Sequence, residues 1–190
     1  PFRALIRNCT FAGGNLTLQN NVSASWAFTN NLFDTTNIVQ TGSISNNYNG
    51  YLTNSVRLTP NGSSDVLLTV TNILYDTGIL GRFYLPTNLT SHSALFNSGS
   101  QTANLVGLYH FTTTTNQVRE TNSIVDIGFH YVAAGSDGAP LDTDSDGVPD
   151  YLEDLDGDGT LDSSETSTTD PSDWGLRVLI TRPKNGSNLP

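Results

Sequence analysis

One stretch constrains this chain more than any other. It runs from Asp142 to Glu165 and holds two consecutive twelve-residue segments, DTDSDGVPDYLE and DLDGDGTLDSSE. Each carries an acidic residue at positions 1, 3, 5, 9 and 12, and glycine at position 6. That is the calcium-loop pattern at every fixed position. Calcium is a hard cation that takes oxygen ligands, and this spacing wraps carboxylates and one backbone carbonyl round a single point. The glycine is required where the chain turns sharply. The ligand set expected for the first loop is Asp142, Asp144, Asp146, Asp150 and Glu153, with the carbonyl of Val148. For the second it is Asp154, Asp156, Asp158, Asp162 and Glu165, with the carbonyl of Thr160. Two calcium ions are expected, with the position-12 glutamates bidentate and position 9 open to acting through water.

An acidic disordered segment would not need glycine at the sixth place of both repeats. A pair of helix-flanked loops is also unsuited. The sequence Gly135-Ser-Asp-Gly-Ala-Pro140 cannot form an entering helix, and the second loop starts immediately after the first ends. Tyr151-Leu152-Glu153 has room for about one helical turn. The expectation is two loops strung along an extended connector, each closed by its own ion.

Charge is confined to this region. Residues 1–136 carry five Arg and five Asp/Glu, residues 137–173 carry thirteen Asp/Glu and no Lys or Arg, and residues 174–190 carry three cations. The net charge of −10 thus belongs to one segment, which excludes a nucleic-acid partner and favours divalent cations. No apolar run is long enough to span a bilayer. The chain has no methionine, as expected of a processed chain or a piece of a larger one. With abundant Asn, Ser and Thr and little Lys, the composition suits an extracellular or cell-surface β-protein. Three domains are expected: a β-rich body over 1–136, the calcium connector over 137–173, and a C-terminal strand within 174–190.

In the body, Leu16/Leu18 and Trp26/Phe28 alternate with polar residues, the period of half-buried strands. Ile6-Arg-Asn8-Cys9-Thr-Phe11 recurs as Phe28-Thr-Asn30-Asn31-Leu-Phe33, 22 residues later. Ile44-Ser-Asn46-Asn47-Tyr48 reads as a third copy at a shorter step. Such a repeat fits stacked coils in which a corner Asn stacks on the Asn above. The fold class is all-β, with either a β-solenoid or a β-sandwich body. The run Val66–Leu74 reads as a strand or a short amphipathic helix, and Ile79–Leu85 as a strand. Residues 50–93 are candidates for a cap or a lateral excursion. Cys9 reads as a small buried hydrophobe in a strand.

The repeat resembles the final coils of bacterial right-handed parallel β-helix proteins. Ala94-Leu-Phe-Asn-Ser-Gly-Ser100, followed by Val125-Asp-Ile-Gly-Phe-His-Tyr131, is similar to their closing pattern, with Phe-His-Tyr in place of Ala-Tyr-Glu. The acidic loops and the Thr169-Asp170-Pro171 step resemble bacterial thrombospondin type 3 repeats. That resemblance implies short calcium loops along a chain that joins larger domains.

Leu176, Val178 and Ile180 alternate with Arg177, Leu179 and Thr181 as one lone strand. It resembles the first strand of bacterial immunoglobulin-like modules and needs a sheet to join: it could return to its own domain, or residues 175–182 could be donated to another copy of this chain, building a head-to-tail fibre. A catalytic reading finds little support. The carboxylates of the body do not recur at a coil spacing. His92 and His110 stand apart from other ligands, and Asp126 and His130, on one side of an expected strand, read as structural. The chain therefore reads as a non-catalytic extracellular calcium-binding structural protein. The alternatives are a fibre subunit and a carbohydrate-binding or polysaccharide-degrading β-helix module.

Overall fold

The computed structural model describes residues 2–21, 24–88 and 90–174. The strand expected at Leu176–Ile180, and its use as a donated strand, lie outside the described residues.

The chain is all-β in character. Three strands follow one another, β1 (Phe2–Arg7), β2 (Thr10–Ala12) and β3 (Asn15–Gln19), and the series repeats as β4 (Ala24–Thr29), β5 (Leu32–Asp34) and β6 (Asn37–Thr41). A third pass gives β7 (Ser45–Asn47) and β8 (Gly50–Leu52), and β9 (Val66–Leu68) closes it. All pairings among these strands are parallel, in sheets ordered β1-β4-β7, β2-β5-β8-β9 and β3-β6. The sequence repeat is the pairing register: Ile6 lies beside Phe28, and Phe11 beside Phe33. The third copy is displaced from the expected alignment. Phe28 pairs with Asn46 rather than with Ile44, because register is held at the corner between strands.

That corner is an amide ladder. The Cys9 amide donates to Asn31 Oδ1 at 3.1 Å, the Asn31 amide to Asn49 Oδ1 at 3.0 Å, and the Asn49 amide to Asp65 Oδ1 at 3.0 Å. The Asn31 and Asn49 side-chain amides donate back to the carbonyls of Ile6 and Phe28. Each buried polar group in the ladder therefore has partners, as burial demands. Cys9 sits in this corner rather than in a strand, half-buried, with Sγ 3.1 Å from the Arg7 carbonyl. Burial pushes its thiol pKa up.

Beside the ladder, Phe11, Phe33 and Tyr51 stack with ring centroids 5.0 Å apart at each step. They pack with Leu18, Phe28, Ile38, Ile44 and Leu58. The opposite face of the same sheet presents Leu32, Leu52 and Leu68 to a second core with Leu85, Leu95 and Ile127. Gly50 permits this approach, since a Cβ there would lie 2.8 Å from Leu95 Cδ2 and 3.1 Å from Ile127 Cγ2.

The second core is built by the rest of the body. The Val66–Leu74 run resolves into strand β9 and irregular chain. The strand expected at Ile79–Leu85 is shorter, β11 (Gly81–Tyr84), in an antiparallel hairpin with β10 (Asp76–Gly78). Two 3-10 turns, Thr90–Leu95 and Ala103–Val106, lead to β12 (Phe111–Thr112), which pairs antiparallel with β13 (Tyr131–Val132). The two parts of the closing pattern meet: the Ile127 amide donates to the Leu95 carbonyl (2.9 Å), and the Asn97 amide to Asp126 Oδ1 (2.8 Å). Residues 126–130 are not a strand. Gly128, at φ 127°, turns the chain onto the ladder corner, where its amide donates to the Asn30 carbonyl. One helical turn, α1 (Asp150–Glu153), forms the end of the first acidic loop.

Candidate metal centre

Both acidic loops fold by the same local rule. The position-1 carboxylates accept amides from inside their loops: Asp142 from Ser145 (2.8 Å) and Gly147 (3.0 Å), Asp154 from Gly157 (2.8 Å) and Gly159 (2.7 Å). Position 3 accepts the amide of position 5, and position 5 that of position 7, in each loop. Carboxylate oxygens are thereby turned inward. One oxygen each from Asp142, Asp144 and Asp146 lie within 4.8 Å of one another, and so do one each from Asp154, Asp156 and Glu165. Asp158 and Asp162 of the second loop lie outside its group, as do Asp150 and Glu153 of the first. The amides of Val148 and Thr160 donate to Asp146 Oδ1 (2.7 Å) and Asp158 Oδ1 (2.6 Å).

Position 12 differs between loops. Glu165 accepts three amides, those of Leu155, Asp156 and Asp162. Glu153 is 1% exposed, its Oε1 accepts only the Thr166 hydroxyl (3.1 Å), and its Oε2 is buried without a partner. Burial, together with the charges of Asp144, Asp146 and Asp150, raises its pKa to about 7 despite the Thr166 bond. Burial and neighbouring carboxylates likewise push Asp144 and Asp156 above the usual range. Among the described residues, the buried carboxylate oxygens with no partner are Asp144 Oδ2, Asp146 Oδ2, Glu153 Oε2 and Asp173 Oδ1. Unpaired buried anionic oxygens are costly. An all-oxygen donor set that converges without cationic side chains fits a hard divalent cation.

The position-9 residue of the first loop has both oxygens engaged outside this group. Asp150 Oδ1 accepts the Thr143 amide (2.6 Å), while its Oδ2 accepts the Thr143 hydroxyl (2.6 Å) and Arg119 Nη1 (2.8 Å). His110 does not stand apart: its Nε2 lies 2.8 Å from Asp154 Oδ2, and its Nδ1 3.2 Å from Arg119 Nη1. The acidic segment is therefore docked on the body rather than strung away from it. The Tyr109 amide also donates to the Gly157 carbonyl (3.1 Å).

Within the body, His130 Nε2 meets Glu120 Oε1 at 3.2 Å, not Asp126. Both Asp126 oxygens are used, by the Asn97 amide and by the Thr113 hydroxyl at 2.5 Å. Burial first, then the Glu120 charge, raises its pKa to about 6. His92, buried, has Nδ1 3.1 Å from the Ser91 hydroxyl. A cavity of about 230 Å³ is lined by Thr10, Phe83, Phe129 and Tyr131.

Arg119, His110 and Asp173 escape a reading by motif. The first two lie in a body segment with no local signal. Asp173 has one, the Thr169-Asp-Pro-Ser-Asp173 step directly after the second loop. Comparison with family models, curated proteins and solved structures gives no match. No helix among the described residues is long and apolar enough to cross a membrane.

Proposed function

We propose that this chain is a non-catalytic, extracellular or cell-surface structural protein: a short β-solenoid body carrying a calcium-binding connector over 137–173. The observation that carries the reading is the set of partnerless carboxylate oxygens in the first loop. Apo, these oxygens repel one another. Bound calcium supplies the positive charge that offsets this, so binding and ordering are coupled. Asp142, Asp144, Asp146 and Glu153 hold one ion and Asp154, Asp156 and Glu165 the other. The in-register parallel pairing and the amide ladder support the solenoid reading of the body. Calorimetric titration with CaCl2 tests the function: two ions per chain are expected, with a higher melting temperature than in EGTA. No uptake at millimolar calcium would end this reading.

A second reading, a carbohydrate-binding surface, draws on the aromatic cavity. Phe129 is 42% exposed and Phe83 37%, and exposed rings are suited to stacking on sugar faces. A glycan array compares the native chain with Phe129→Ala; binding lost in the variant supports this reading, and an array without binders removes it.

A further inference from the structure

The first cation site has a vacancy at position 9 and an unassigned carboxylate beside it. Asp150 is fully engaged by Thr143 and Arg119. Glu153 is buried, with Oε2 unpartnered, and Oε1 bonded to Thr166. The next residue, Ser167, donates its amide to Asp173 Oδ2 at 2.9 Å. The segment after the second loop is thus folded back against the first. Asp173 Oδ1 is the fourth buried, partnerless carboxylate oxygen, with Asp144 Oδ2, Asp146 Oδ2 and Glu153 Oε2. Its charge also acts on Asp144, together with those of Asp146 and Asp142.

We infer that Asp173 is a ligand of the first cation, so that this site is discontinuous and is closed by a residue beyond the second loop. The inference rests on the calcium reading of the first loop. It gives that site a task the second lacks: its ion clamps the end of the acidic segment, residues 166–173, onto the start. The second loop is held between the two ends. A cation in the first site then gathers five carboxylates, those of Asp142, Asp144, Asp146, Glu153 and Asp173, and loss of Asp173 removes both a ligand and a charge.

The test isolates the first site with Asp156→Asn/Glu165→Gln, which disables the second, and adds Asp173→Asn. The asparagine keeps an oxygen for the Ser167 amide but removes the charge. CaCl2 titration should give one ion for the double variant, and affinity weaker by about tenfold or more once Asp173→Asn is added. Hydrogen exchange on the double variant, with Asp173 intact, should show calcium protecting the Ser167 and Asp173 amides together with those of 142–153. Equal affinity with and without Asp173→Asn, or protection confined to 142–153, would reduce Asp173 to a turn-capping residue and overturn the inference. If the double variant took up no calcium while the native chain did, the first loop would not be a site, and the inference would fall with it. If the native chain took up none, the calcium reading itself would fail.

Discussion

The two acidic loops share a pattern and a hydrogen-bonding rule, yet they solve opposite problems. The second has its position-12 carboxylate satisfied by three amides and exposes Asp156 and Asp162. The first buries Glu153 and leaves oxygens of Asp144, Asp146 and Glu153 without partners. Identical spacing thus yields one loop that is largely self-satisfied and one that is electrostatically unfinished. Surroundings make the difference. The second loop rests on Tyr109 and His110 through its backbone and Asp154, whereas the first is enclosed by the chain that returns at Thr166–Asp173.

The position-6 glycines should separate the loops most. Both have positive φ, 97° at Gly147 and 79° at Gly159, so alanine at either costs about 1–2 kcal/mol in backbone strain. At Gly147 a Cβ meets nothing within 4 Å, but at Gly159 it would lie 2.3 Å from the Tyr109 ring. Gly159→Ala should cost about 3 kcal/mol in all, by urea unfolding in calcium, against about 1 for Gly147→Ala. Equal losses would break the distinction in docking.

The glutamates come next, and here the sign should reverse. In EGTA, Glu153→Gln removes a buried charge short of partners and should stabilise by about 2 kcal/mol. Glu165→Gln weakens charge-assisted amide bonds and should destabilise by about 1 kcal/mol. Thermal melts of both variants in EGTA decide this, and a shift of the same sign in both would erase the contrast. Arg119→Ala strips Asp150 of its cation and should destabilise by about 1–2 kcal/mol, with calcium or without, since both Asp150 oxygens are engaged by Thr143 and Arg119. A loss seen only in calcium would return Asp150 to the ligand set.

Asp126 offers a reference point, read as a change of slope with pH: a buried carboxylate with both oxygens partnered. Burial, and then the Glu120 charge, hold its folded pKa at about 6, above the ordinary carboxylate range. The stabilisation from protonating it is therefore complete below about pH 4 and lost as pH rises through about 6. Asp126→Asn should flatten the stability profile between those values by about 2 kcal/mol, equally with and without calcium. A flattening that depends on calcium would tie this site to the loops.

Much of this was legible in the residues, and the reasons are local. The repeat of Ile6–Phe11 in Phe28–Phe33 is visible because both copies meet the same corner and the same core. Its third occurrence is misaligned in the sequence because Asn49, not Asn46 or Asn47, continues the ladder, and a sequence does not show which amide in an Asn-rich run points inward. The loop ligands are legible because their spacing is intrinsic to the loop. The diversion of Asp150 to Arg119 and the approach of His110 to Asp154 join chain segments 31 and 44 residues apart and have no local signature, whereas Asp173 lies in the Thr169–Asp173 step whose fold-back the spacing does not show.

The ladder has one more consequence. Its rungs are separated by 22, 18 and 16 residues, yet each makes an amide bond of 3.0–3.1 Å. Alignment is therefore indexed at the corners, and the arcs between them are free to change length. Insertions and deletions placed between rungs should be absorbed as bulges of the outline, while a single residue added next to Asn31 or Asn49 would shift every strand that follows. A chain built in this way can drift in size and lose visible periodicity while its turns stay in step.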